Sequence, residues 1–236
     1  MPLRDISLPV DLLDGLPSRD QVLAHRADKL SGPRWRTAIA AAGLPAPTGV
    51  MATVETFSLD RAQILDFASG EITDENALQL LYLSLAWGLG WKGFRMDSKL
   101  SGIGHTDRLT ITTLLVQAWE AVRAGAPSQD CYEVLLTPKG RPRIKQLGAA
   151  FATKYLYFAT GSGIPRTPIL DAVVANSLRP IAWEDAPTTA WWSSTYARYC
   201  ELLSRWATDA SIHTGEPVRV DQVEKMLFSL TANATG

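Results

Sequence analysis

Apolar positions recur along this chain with the spacing of amphipathic helices, and no stretch alternates convincingly with the two-residue period of a strand. Helices are predicted over residues 18–30, 33–42 and 58–69, from a Thr73 cap through ENALQLLYLSLAW, and from Asp107 through RLTITTLLVQAWEAVRAG. The remaining predicted helices are RPRIKQL with Pro142 in its first turn, GAAFATKYLYFATG, DAVVANSLR capped by Asp171, AWWSSTYARYCELLSRWATDA, and a last helix opened by an Asp221–Glu224 capping box. This pattern predicts an all-α protein.

One of these predicted helices is apolar nearly all round and still contains a lysine. From Ala149 to Ala159, only Thr153 and Lys154 interrupt a run of alanine and bulky apolar or aromatic side chains. A helix of this composition is normally buried. Burial disfavours an ammonium group and favours the neutral amine, which is the nucleophile of Schiff-base chemistry. The alternative is structural, because a lysine stem can lie along apolar surface while its ammonium reaches water.

The composition limits the remaining classes of protein. A chain of 236 residues predicts one unit, and its formal net charge of −1 confines any nucleic-acid surface to a local patch. Cys131 and Cys200 are too few for a four-cysteine zinc or iron–sulfur site, and the three histidines are scattered. No run has the length of a membrane span, and the start lacks the apolar core of a signal peptide. We therefore expect a soluble, cytoplasmic protein without cofactor, metal, iron–sulfur cluster or membrane partner.

Residues 88–93, GLGWKG, fit the pattern G-x-G-x-x-G of dinucleotide-binding proteins. That site requires a strand before the glycines and a helix after them, whereas here a predicted helix precedes them and FRMDSK follows. The segment is better interpreted as a helix end and a loop. Its aromatic and basic side chains, Trp87, Trp91 and Lys92, could still stack on a base or sugar.

Positive charge is concentrated in one part of the chain. No acidic residue lies between Glu133 and Asp171, and PKGRPRIK supplies Lys139, Arg141, Arg143 and Lys145 just before a turn at Leu147–Gly148. Cations beside free backbone N–H groups can hold a phosphate. Alternatively, the segment is only a solvated basic face. Asp171 likewise has a plain interpretation, as the N-cap of the next helix.

These features together resemble the helix-hairpin-helix DNA glycosylases: a basic helix, a tight turn, an apolar helix with a lysine, a proline-containing connector and an aspartate at the next helix start. More narrowly, LGAAFATKYLYFATG followed by PILDAVVANSL is similar to bacterial proteins with the fold of 8-oxoguanine DNA glycosylase, some of which are anti-phage defence glycosylases. The resemblance is specific over about residues 137–180. It implies two helical lobes with an active-site cleft between them, residues 1–69 and 188–232 forming or completing the second lobe.

The resemblance also implies roles for particular residues. Lys154 would attack the sugar and Asp171 would assist, releasing a modified base from double-stranded DNA, with or without strand nicking. The basic residues and Gly148 would contact phosphates, and a monomer is expected. Trp87, Trp91 or Tyr157 would line the base pocket or fill the gap in the duplex, although aromatic residues more often belong to the core.

The chain departs from the usual hairpin, because Ala150 and Ala152 stand where two glycines precede the lysine. This departure favours a hypermodified phage base, such as glucosylated 5-hydroxymethylcytosine, over 8-oxoguanine. Two other functions stay open: a non-catalytic DNA-binding module that uses the hairpin only for phosphates, and a helical protein-interaction domain with an incidental basic patch.

Overall fold

Helices make up most of the computed structural model, which describes residues 3–93, 95–185 and 187–234. A 3₁₀ helix, Val10–Gly15, comes first. The α-helices are α1 (Arg19–Leu23), α2 (Gly32–Ala41), α3 (Gly49–Thr53), α4 (Arg61–Phe67), α5 (Asp74–Leu89), α6 (Met96–Gly104), α7 (Arg108–Arg123), α8 (Ser128–Leu135), α9 (Ala149–Phe158), α10 (Ala172–Leu178), α11 (Ser193–Thr214) and α12 (Val220–Ala234). No helix in these ranges is long and apolar enough to cross a membrane.

A small antiparallel sheet corrects the all-α prediction. Strand β1 (Arg26–Ser31) pairs with β2 (Thr56–Asp60), so the helices predicted over 18–30 and 58–69 are each part helix and part strand. The register shifts between Ala27 and Leu30, where Lys29 has a φ of 56°. This irregularity places the two buried apolar residues of β1 three positions apart, which is a helical spacing and conceals the strand.

Several predicted helix starts are confirmed by hydrogen bonds. Thr73 Oγ1 accepts from Asn76 N at the start of α5, and Asp107 accepts from Thr110 N at the start of α7. Asp171 accepts from the backbone N–H groups of Val173 and Val174 at the start of α10. Side-chain oxygens at these positions satisfy N–H groups that have no partner within the helix.

Two predictions near helix ends are wrong. RPRIKQL is a loop, because Gly140 turns the chain at φ 73° and Pro142 pairs with Leu136 in an isolated bridge. Gln146, at φ 64°, also departs from helical geometry. At the start of α12 it is Gln222 that accepts from Arg219 N, while Asp221 lies inside the helix and is buried. Helices α3, α6 and α8 were not predicted.

Helix α5 is buried on nearly every side from Ala77 to Trp87 and packs against α7, α9 and the sheet. Helix α9 therefore lies against the centre of the core. Helix α12 packs on α10 and α11. A fully buried ion pair between Arg61 and Glu224 connects α4 with α12, and Arg61 lies 5.0 Å from the ring centres of both Trp87 and Tyr157.

Candidate active site

The side chains of Lys154 and Asp171 form a hydrogen-bonded ion pair. Nζ of Lys154 lies 2.8 Å from Oδ2 of Asp171, and the two side chains are only 6% and 16% exposed. Among the described residues Lys154 is the only buried lysine. The lysine that the sequence singled out is thus held inside the protein against the aspartate that the sequence singled out.

Helix ends and hydrogen bonds bring these residues together across 17 positions of the sequence. Lys154 stands in the middle of α9, and Asp171 is the N-cap of α10. Beside them, the hydroxyl of Thr153 donates to the carbonyl of Leu170 at 3.0 Å and accepts from its N–H at 3.2 Å. This buried two-way contact fixes the residue before Lys154 to the residue before Asp171.

The rest of the connector before Asp171 is held by buried hydroxyl groups. Tyr196 and Tyr199, from α11, donate to the carbonyls of Pro168 and Ile169 at 3.0 and 2.6 Å. Thr167 donates to the carbonyl of Leu156 in α9 at 3.0 Å. Since each bond is shielded from water, the connector is fixed relative to α9 and α11. The position of Asp171 is therefore determined by the core.

Asp171 is electrostatically suited to remain a carboxylate. Burial raises the pKa of its carboxyl group, but the charge and hydrogen bond of Lys154, with the N–H groups of Val174 and Val173, outweigh burial and lower the pKa below its ordinary value. Oδ1 of Asp171 accepts from the two backbone N–H groups of α10, and Oδ2 accepts from Nζ of Lys154. The residue is both a cap and a negative charge beside the amine.

Gly88 and Phe151 shape the space around the lysine stem. A Cβ atom at Gly88 would lie 2.8 Å from Lys154 Cδ and 2.9 Å from Phe151 Cε1. The ring centre of Phe151 lies 5.6 Å from Nζ of Lys154 and 4.3 Å from Nζ of Lys99. Lys99 also donates to the carbonyl of Gln146, and its pKa is lowered by burial first and then by the charges of Arg95 and Lys154. The glycine segment thus contributes to the lysine site.

The basic segment forms an exposed loop between α8 and α9. Lys139, Arg141, Arg143 and Lys145 are all exposed, and half-buried Gly148 is the N-cap of α9 without a side-chain cap. The loop is held at its base, where Arg143 donates to the carbonyl of Glu133 and Lys145 N donates to Thr106 Oγ1. The N-terminus of α9 lies about one and a half helical turns before Lys154, and the loop cations precede that N-terminus in the chain.

The three candidate aromatic residues occupy different environments. Trp91 is 63% exposed in the loop after α5, and Lys92 lies 5.6 Å from its ring centre. Trp87 is buried, donates to the carbonyl of His25 and contacts Phe158. Tyr157 is fully buried and donates to Asp221 at 2.9 Å. Of these residues, Trp91 alone presents its ring to solvent.

Sequence reasoning missed Gly88, Thr153, Arg61, Glu224 and His25 as neighbours of the site. Arg61 and Glu224 are separated by 163 positions, so no local pattern relates them. Their environment is unusual, since burial raises the pKa of Glu224 while the Arg61 charge lowers it, with a net rise. Gly88 could have been noticed because it belongs to the GLGWKG motif. Its role is to leave room for side chains of α9, which the sequence does not reveal.

Comparison with known proteins relates the chain to a protein family. Neither a curated protein nor a solved structure matches the chain. A family model described as "Putative 8-oxoguanine DNA glycosylase OGG-like protein" matches residues 20–228, which include α2 to α11, the basic loop and both residues of the ion pair. The chain therefore belongs to this OGG-like family.

Proposed function

We propose that the protein is a DNA glycosylase that turns a modified base out of duplex DNA and breaks its N-glycosidic bond, with Lys154 as nucleophile and Asp171 as its partner. The observation that carries this proposal is the buried ion pair, with 2.8 Å between Nζ and Oδ2. A lysine that served only as a phosphate contact would be expected on the exposed loop, where four other cations already lie.

The proposed reaction begins with transfer of a proton from the Lys154 ammonium to Asp171, the nearest acceptor. Exclusion of water by bound DNA favours this step, because a buried neutral pair costs less than a buried ion pair. The lone pair of Nζ then forms a bond to C1′. The C1′–N bond breaks, and its electron pair leaves with the base, which takes the proton held by Asp171. The carboxylate then accepts the second amine proton and passes it to the ring oxygen as the C1′–O4′ bond opens, which leaves the protonated Schiff base between C1′ and Nζ.

Hydrolysis of that Schiff base by water returns the lysine and leaves an abasic site. Alternatively, Asp171 would stay ionised, and its carboxylate would stabilise the positive charge that develops on the sugar as the bond breaks. β-Elimination from the same Schiff base would nick the strand, so a lyase activity is compatible with the proposed nucleophile.

The proposed DNA contacts follow from exposure and charge. Phosphates would be neutralised by four exposed cations of the loop, Lys139, Arg141, Arg143 and Lys145. One further phosphate would bind at the N-terminus of α9, where backbone N–H groups near Gly148 donate to it. Trp91 would occupy the gap that the turned-out base leaves in the duplex. Its exposure, its position after α5 and its neighbour Lys92 support that role.

The domain arrangement is part of the proposal. Residues 1–69 and 188–232 would complete a second helical lobe, with DNA entering a cleft beside α9. Hydrogen bonds between these two segments support this arrangement: Leu8 N donates to Asp209 Oδ2, and Trp206 Nε1 donates to the carbonyl of Ile6. We further propose that the enzyme acts as a monomer.

The proposed substrate is a modified base, and two chemistries are to be distinguished. 8-Oxoguanine would be recognised by a few hydrogen bonds to its edge. Glucosylated 5-hydroxymethylcytosine requires a larger opening with a polar rim, and its removal would serve defence against phage. Borohydride trapping on duplexes containing either base or an abasic site tests the proposal and separates the two chemistries.

Wild type should form a covalent adduct with abasic DNA and release one of the two bases, whereas Lys154→Ala should do neither. Lys29→Asn is the matched control, because it removes an exposed lysine charge and asparagine tolerates the left-handed backbone there. Tight binding without adduct or base release would instead identify a non-catalytic DNA-binding module. Absence of salt-sensitive DNA binding would favour a protein-interaction domain.

A further inference from the structure

His25 joins α1 to β1, and its half-buried ring lies among aromatic side chains close to the proposed active site. Its ring centre is 5.0 Å from that of Trp87, in an edge-on arrangement, and 5.4 Å from that of Phe228 in α12. The backbone is fixed as well, because the carbonyl of His25 accepts hydrogen bonds from Trp87 Nε1 and from Arg61 N. The ring is thus held by elements from both ends of the chain.

Two contacts relate His25 to Lys154. Trp87 packs against Phe158 at 5.4 Å between ring centres, and Phe158 stands four residues after Lys154, on the same face of α9. Gly88, next to Trp87, lies against the lysine stem. His25 therefore contacts the same tryptophan that borders the helix of the nucleophile.

One ring nitrogen of His25 has no hydrogen-bond partner among the described residues. Nδ1 is buried and makes no hydrogen bond within the described ranges. A buried imidazole nitrogen without a hydrogen-bond partner is unfavourable in proteins generally. Such an atom normally has a role outside the packing of the core.

The imidazole is also kept neutral. Burial lowers the pKa of His25 to about 3, with further lowering by the charges of Arg61, Lys225 and Lys154 and an opposing effect of Asp171. These charges come from α4, α12, α9 and the start of α10. A neutral imidazole offers one hydrogen-bond donor and one acceptor, which is the combination that the edge of a nucleobase presents.

We infer that His25 hydrogen-bonds the edge of the base that is turned out of the DNA, and so helps determine which base is excised. This inference rests on the proposed glycosylase function. The residue is half-buried, so part of it faces solvent, and the inference requires a rotation about Cβ–Cγ that turns the buried Nδ1 towards a bound base. A purely structural histidine would instead be replaceable by a ring of similar shape.

The experiment compares two substitutions and two reactions. His25→Phe keeps an aromatic ring for Trp87 and Phe228 but removes both ring nitrogens, whereas His25→Gln keeps one donor and one acceptor. His213→Phe is the control, because His213 is exposed on α11. Base release is measured on duplexes with 8-oxoguanine or glucosylated 5-hydroxymethylcytosine, and borohydride trapping on a pre-formed abasic duplex, which has no base to read.

His25→Phe should lower kcat/KM for base release about tenfold or more, while abasic trapping stays within about twofold of wild type. His25→Gln should restore part of the base release, and His213→Phe should match wild type. Thermal unfolding measured on each variant separates loss of recognition from loss of folding.

Unchanged base release by His25→Phe would overturn this inference and leave the glycosylase proposal intact. Equal loss of base release and abasic trapping would overturn it as well, since base recognition plays no part in the second reaction. Failure of wild type to trap abasic DNA would overturn the Schiff-base function itself. If wild type traps abasic DNA but releases neither base, both proposed substrates are wrong. The inference that His25 recognises one of these bases would then be overturned as well.

Discussion

The Cα atom of Gly88 faces the stem of Lys154 so closely that a methyl group there would lie 2.8 Å from Lys154 Cδ. Gly88 belongs to α5 and Lys154 to α9, and the two helices pack against each other at the centre of the core. The absence of a side chain at Gly88 therefore creates the channel along which the lysine reaches Asp171.

Gly88→Ala should displace the lysine amine and lower the rate of borohydride trapping by about tenfold to a hundredfold. Alanine in a helix is otherwise favourable by about 1 kcal/mol, so a loss of stability would be steric. Gly15→Ala is the control, because its nearest contact would be an ordinary 3.8 Å. Trapping by Gly88→Ala at the wild-type rate would show that the channel does not position the amine.

Thr153→Val tests the contact that fixes α9 to the connector. Valine has the shape of threonine but leaves the N–H and carbonyl of buried Leu170 without that hydroxyl. We expect a loss of about 1–3 kcal/mol in the free energy of unfolding in urea, and a fall in kcat for base release. Thr112→Val is the control, because it removes a buried hydroxyl of α7 that bonds to the carbonyl of Leu109 and not to the connector. If both variants lose activity equally, the effect is general destabilisation rather than positioning.

The two functions of Asp171 can be separated by substitution. Asn is as good an N-cap as Asp, so Asp171→Asn should keep α10 capped while removing the charge beside Lys154. Asp171→Ala should lose the cap as well, so its free energy of unfolding should be about 1 kcal/mol lower than that of Asp171→Asn. Both variants should be defective in base release. An active Asp171→Asn enzyme would assign this residue a capping role only.

The lowered pKa of Asp171 predicts a dependence of stability on pH. Because the folded state depresses this pKa below its ordinary value of 3.8, the carboxylate stabilises the protein above that pH, and the contribution is lost as pH falls through the folded pKa. The difference in unfolding free energy between wild type and Asp171→Asn should be constant above about pH 5 and shrink below about pH 4. A constant difference down to pH 2 would contradict the assigned shift.

The buried pair of Arg61 and Glu224 should show strong coupling. Arg61→Met or Glu224→Leu alone leaves a buried charge without its partner and should reduce the free energy of unfolding by about 3–5 kcal/mol. The double variant should lose much less than the sum, because no unpaired charge remains. Urea denaturation of the four proteins gives the coupling energy. Additive losses would show that the pair is not the stabilising contact between α4 and α12.

Replacing Lys139, Arg141, Arg143 and Lys145 by glutamine should weaken DNA binding and reduce the slope of log K against log salt by up to about 4. The expected loss is uniform across DNA sequences, since phosphates carry no base information. Arg4→Gln with Arg205→Gln, which removes exposed charge near the ends of the chain, is the control. Fluorescence anisotropy at several salt concentrations provides the measurement. An unchanged slope would exclude the loop as the phosphate contact.

The sequence by itself determined the local features of this protein. The apolar helix with its lysine, the caps at Thr73, Asp107 and Asp171 and the uneven charge all depend on neighbouring residues, and the resemblance to the glycosylases rests on one continuous segment. Local propensity was insufficient at β1, where a register shift gives buried residues a helical spacing, and in the basic loop, where Gly140 and Gln146 leave helical geometry.

Only the tertiary structure decided which distant residues meet. The sequence could nominate Lys154 and Asp171, but their 2.8 Å contact depends on hydroxyl groups of α9 and α11 that hold the connector. The placement of Gly88 against the lysine stem and of His25 against Trp87 depends on how α5 packs against α9 and the sheet. Such contacts arise because burial of apolar surface draws elements together from all parts of the chain, and no periodicity along the sequence records the outcome.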